Sequence, residues 1–171
     1  MDNELERVLA ALESIMNRAI GLHGELLALL NRKRDAMRYA NADMMTELCR
    51  LENEKFRDIS DLEKQRLAMV ARLTLILKPA AKVPMRLSEA AELLPEPQRG
   101  RLLVLRKQLY DRMAEVKHQT SIARRAAESL VKHMHGLIQT IGSISTGVST
   151  YSDKGALPKN ATAIRTINVT A

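Results

Sequence analysis

Apolar residues recur every three or four positions through two long stretches, Leu5 to Leu77 and Leu102 to Ile144, and neither contains a proline. In the first stretch the series Leu5, Val8, Leu12, Ile15, Ala19, Leu22, Leu26, Leu29 alternates steps of three and four. That spacing holds the apolar side chains on one stripe of a helix, the seam along which long helices pack. It restricts the fold to an all-α one, an antiparallel helical hairpin joined by a third long helix in a coiled-coil-like three-helix bundle. Such a bundle offers outer faces and grooves but little concave interior in which to run a reaction.

The core of this bundle has to be aliphatic, because Trp is absent, Phe56 is the only Phe, and three Tyr complete the aromatics. Strand-forming residues are nowhere gathered into short alternating runs. Cys49 is the only cysteine, so no internal disulfide can form. The opening residues Met1 to Glu4 carry no cationic and apolar signal-peptide pattern. No apolar run approaches the roughly 18 residues that span a bilayer. These features lead us to expect a soluble cytoplasmic protein without membrane insertion.

The helices are expected at about 3–39, 43–77 and 97–144, with a turn at Asn41-Ala42-Asp43 where Asn41 or Asp43 can accept the free N–H groups of the second helix. The second seam reads Leu48, Leu51, Lys55, Ile59, Leu62, Arg66, Met69, Leu73, Ile76, with Phe56 and Val70 beside it. Lys55 and Arg66 fall on the stripe, where their long stems can lie along the seam with the charge at its margin. Residues 78–100 form a connector holding four of the five prolines, with a short helical turn expected over Ser88 to Leu94, capped by Ser88. The third seam runs Leu105, Leu109, Met113, Val116, Thr120, Ala123, Ala127, Leu130, Met134, Leu137, Ile141, Ile144. Residues 1–145 are therefore read as the bundle domain. Residues 146–171, rich in Gly, Ser and Thr, are read as a flexible tail.

Charge is unevenly placed. The net +7 arises mainly in residues 101–135, with eight basic side chains against three acidic ones. A basic helix of this kind could follow nucleic-acid phosphates or an acidic surface. No aromatic residue is interleaved for base stacking, however, so a solvated face is the simpler reading and a nucleic-acid partner is not expected.

Reaction chemistry is equally sparse. Of the four histidines, His133 and His135 are two residues apart, about 200° around a helix, and do not share a face for a metal. All four are expected to be partly exposed. No phosphate loop, nucleophile elbow or dinucleotide fingerprint occurs. The carboxylates of Glu52, Glu54, Asp58, Asp61 and Glu63 sit among Lys and Arg as i,i+4 partners. We therefore expect no catalytic residues, no metal, no cofactor, no small-molecule substrate and no enzymatic activity. Met44, Met45, Met69, Met113 and Met134 lie on or near the seams, where Met fills a core or adapts to a partner.

In order along the chain, these features resemble the flagellar export chaperones of the FlgN type. The resemblance rests on Leu26 to Met37 with Lys33 and Arg34 ahead of the turn, then Leu48, Glu54-Lys55, Leu62-Glu63 and Arg66. Val116 to Ser121 stands where the family carries an asparagine-containing stretch, with His118 and Ser121 here instead. Tyr151-Ser152-Asp153-Lys154-Gly155 is similar to the family's Tyr-Gly-x-x-Gly, with Ser152 in place of the glycine. The resemblance implies a chaperone that binds the amphipathic terminal helices of hook–filament junction proteins in the cytoplasm and presents them to the export gate. It places the substrate groove at Leu130, Met134, Leu137 and Ile141, with the adjoining end of the second helix. Tyr151 would dock to the cytoplasmic domain of the export-gate protein, and Gly155 would let the chain turn there. A structural coiled-coil adaptor, which would use the same seams for a permanent dimer, and a basic nucleic-acid-associated protein remain the alternatives. Either a monomer or a dimer is compatible with the sequence.

Overall fold

The computed structural model describes residues 2–145, and within them the elements are α1 (Asp2–Arg38), α2 (Ala42–Leu77), α3 (Leu87–Glu92) and α4 (Gln98–Ser145). No strand occurs among the described residues, so the fold is all-α. At 1.5 Å per residue α1 is about 55 Å long.

The α1–α2 turn follows from a few backbone groups. The N–H of Asn41 donates to Ala36 O (3.0 Å) and that of Ala40 to Met37 O (3.2 Å), closing α1 in a Schellman arrangement. Ala40 takes the left-handed backbone at φ 50° that this motif requires. Asn41 then caps α2, its Oδ1 accepting from Met44 N at 3.0 Å. The reversal makes the two helices antiparallel, and ion pairs mark the register: Glu4 with Arg72 (3.7 Å), Glu25 with Lys55 (2.5 Å) and Lys33 with Glu52 (2.5 Å). Lys55 and Arg66 behave as their long stems allow, half-buried along the seam with their charges held by Glu25 and Glu63.

Thr74, buried near the end of α2, donates to Val70 O (2.8 Å) and accepts from Met85 N (3.1 Å), which ties the connector to the hairpin. The connector packs through α3: Leu87, Ala90, Ala91 and Leu94 join the main core of Val8, Leu9, Leu12, Met16, Leu62, Val70 and Leu73. Its cap differs from the expected one. The N-cap is Arg86, whose N–H donates to Glu89 Oε2 (3.0 Å), and Ser88 already lies inside the helix. α4 then starts beside the beginning of α1, with Arg101 3.4 Å from Glu13, and runs parallel to α1. Farther along, Val116 and Ala123 pack against Leu26, Leu27 and Leu30.

α1 is thus packed on two sides, which widens its buried face. Leu9, Met16, Leu27 and Leu30 are buried in addition to the eight-residue seam, whose Leu5, Ile15 and Leu22 are only half-buried. A single stripe serves one neighbour; two neighbours need nearly twice the arc. His23 is a further correction, being buried rather than partly exposed, with Nδ1 donating to Ala19 O at 2.7 Å. Phe56, Met44 and Met113, all placed on or beside seams, are exposed.

Two predictions test this reading. An alanine in left-handed backbone costs about 1 kcal/mol that glycine avoids, so Ala40→Gly should raise Tm by about 2–4 °C in a thermal melt. An unchanged or lower Tm would contradict the turn geometry. The second concerns Lys33. Burial disfavours its ammonium, but the hydrogen bond and charge of Glu52 outweigh this and hold the pKa above the usual lysine value. The pair's contribution is therefore present through neutral pH and lost as pH rises past the lysine range. Lys33→Met strands a largely buried carboxylate and should cost about 1–3 kcal/mol in chemical denaturation, whereas Lys33→Met with Glu52→Leu should recover most of it.

Candidate functional site

α4 carries its contacts on a strict seven-residue spacing: Leu102, Leu109, Val116 and Ala123 are all buried. Leu130 and Leu137 continue that spacing on the same helix, and there burial ends. Leu130 is 36 % exposed, Met134 53 %, Leu137 49 % and Ile141 65 %. These four residues lie on one stripe within about 60° of one another around the helix. Val131 and Ile138, also exposed, widen the stripe to about 120°, the width that core-facing helices bury. Residues 129–142 hold one fully basic side chain, Lys132, two histidines and no carboxylate.

The four groove residues read from the sequence therefore share one continuous, water-facing apolar stripe. Val131 and Ile138 belong to it and were missed, because a one-stripe seam records only the central positions. Tyr151 and Gly155 lie outside the described residues. Apolar faces of this extent on solvated helices commonly mark surfaces for another macromolecule.

The larger concave features among the described residues lie elsewhere, on the first two helices. Two open clefts of about 560 and 520 Å³ run along the α1–α2 junction; the first is lined by Arg7 and Arg72, the second by Glu25, Asp58 and Asp61. Neither brings a nucleophile and a base together. Among the described residues no group of three or more His, Cys, Asp or Glu is placed to hold a metal ion. No described helix is long and apolar enough to cross a membrane. Cys49 is half-buried beside Lys33, and its thiol, like Glu52, favours the charged form of that lysine.

Fold and surface together describe an all-α helical protein with an exposed apolar stripe on α4. The chain matches the family model for FlgN protein over residues 1–159 and belongs to that family, whose members are flagellar export chaperones rather than enzymes. Comparison with curated proteins gives no match, and comparison with solved structures gives none.

Proposed function

We propose that this chain is the cytoplasmic chaperone of hook–filament junction proteins, binding their amphipathic terminal helices on the α4 stripe and delivering them to the export gate. Family membership supports the chaperone class, and the exposed stripe of Leu130, Met134, Leu137 and Ile141 is the single observation that carries the binding mode. An amphipathic helix laid along such a stripe is held by apolar burial. Each Leu, Ile or Met taken fully out of water gains about 1.5–3 kcal/mol. Four half-exposed ones therefore supply several kcal/mol, enough for a complex that forms and releases reversibly. Covering the client's own apolar face in this way keeps it from aggregating before export.

The same reading assigns Tyr151 and Gly155 to the contact with the export-gate cytoplasmic domain. Tyr combines contact area with a hydroxyl and is a common anchor in a partner's pocket. Glycine allows the backbone to turn where few residues can.

Substituting Asp for both Leu137 and Ile141 should weaken binding of a C-terminal junction-protein peptide by tenfold or more in calorimetry, while leaving the helical circular dichroism and Tm unchanged. Unaltered affinity would remove the stripe from the binding site. Tyr151→Ala should preserve client affinity and Tm but weaken capture of the gate's cytoplasmic domain several-fold. A lower Tm with normal gate binding would make Tyr151 a packing residue instead.

A further inference from the structure

Among the described residues, the α1–α2 and α1–α4 seams are each edged by a cation from one helix and a carboxylate from the other. Lys33–Glu52, Lys55–Glu25 and Arg72–Glu4 border the α1–α2 seam, and Arg101–Glu13 borders the α1–α4 seam. The exposed stripe of α4 has only half of this arrangement. His133 sits about 40° beyond the Leu130/Leu137 edge and His135 about 40° beyond the Val131/Ile138 edge. One imidazole therefore borders each side. His135 is exposed, and its Nδ1 donates to Val131 O at 3.2 Å. The other charged groups nearby are Lys132, on the opposite face of the helix, and Glu128 on the preceding turn, already held by Arg124 at 2.8 Å. No carboxylate lies in residues 129–142 to answer either histidine.

Resting on the client-binding reading of this stripe, we propose that its occupant is an amphipathic helix with carboxylates on both flanks of its apolar face, and that protonation of His133 and His135 tightens the grip. Charge disfavours the other occupants. A second copy would set these same two histidines against themselves with no carboxylate in residues 129–142 to answer them. The chain's own residues 146–171 carry Lys154, Lys159 and Arg165 against Asp153 alone. An anionic membrane surface calls for a helix with several Lys or Arg and an aromatic anchor, whereas residues 129–142 offer a single Lys and no aromatic.

The direction of the pH effect follows from linkage. Histidines gain charge as pH falls from 8 to 5, while glutamates stay ionised well below 6. A complex that pairs imidazolium with carboxylate binds protons more tightly than its free components, so affinity rises as pH falls.

The test uses the full chain and two designed helical peptides with identical apolar stripes, one flanked by Glu and the other by Gln. Fluorescence anisotropy at pH 8.0 and 6.0 should show the Glu peptide binding roughly three- to tenfold tighter at the lower pH, from two exposed charge pairs. The Gln peptide should change little, and His133→Gln with His135→Gln should flatten the Glu peptide's response without abolishing binding. Equal pH response of the two peptides, or a response that survives the double His variant, would overturn the proposal. If both peptides bind and the Leu137/Ile141 variant abolishes that binding, the client-binding stripe stands even where the acidic preference fails. If neither binds, the stripe itself is in error. Stronger binding at pH 6.0 to phosphatidylglycerol vesicles than to the Glu peptide would assign the face to a membrane and also overturn the proposal.

Discussion

Burial of α1 on two sides is the constraint on which the remaining packing depends. One side meets α2, in register through Glu4–Arg72, Glu25–Lys55 and Lys33–Glu52, and the other receives Val116 and Ala123 of α4, which share a buried cluster with Leu26, Leu27 and Leu30. A helix with a single apolar stripe would hold the hairpin but leave the third long helix without a seat. The widened face, with Met16, Leu27 and Leu30 added, lets one helix organise both neighbours. The connector reinforces this from the end of the bundle, since α3 inserts Ala90 and Ala91 into the same core that holds Leu12 and Leu73.

α4 puts one sequence pattern to two uses. Its seven-residue spacing is that of a helix committed to a partner along its whole length. Through Ala123 the positions on that spacing are buried in the core clusters shared with α1, α2 and α3; from Leu130 onward the apolar residues face water. They stand in register with the buried positions, and the proposed client would cover them. The small side chains at Ala123, Ala126 and Ala127 lie just before this change of fate and present little apolar bulk of their own.

Periodicity made the fold class legible because a three–four spacing without proline has one regular solution. The Asn41 cap was legible for the same reason, since a short polar side chain before an apolar series has a known geometry. Second neighbours were not. Leu9, Met16 and Leu27 lie one position off the central seam, and a single stripe cannot say that another helix covers them. His23 was misread because burial of a histidine depends on its ring finding a backbone acceptor, here Ala19 O, and that requires the packing to be known. Ser88 was misread because a side-chain cap and a capping carboxylate three residues into the helix compete, and Glu89 takes the role through the Arg86 N–H. At the candidate site the apolar stripe was readable, but not that its residues face water: seam spacing is identical whether or not a partner is present.

The central claim is that the exposed continuation of the α4 seam holds the client. Methionine-methyl NMR tests it most directly, because the nine methionines are spread from residue 1 to residue 134. Met134 lies on the stripe, Met16 is fully buried in the core, and Met44 and Met113 are exposed elsewhere. Titration with a junction-protein terminal helix should shift and broaden the Met134 methyl signal and leave Met16, Met44 and Met113 in place. A titration that moves Met44 or Met113 while Met134 stays still would place the client on another surface and contradict the account.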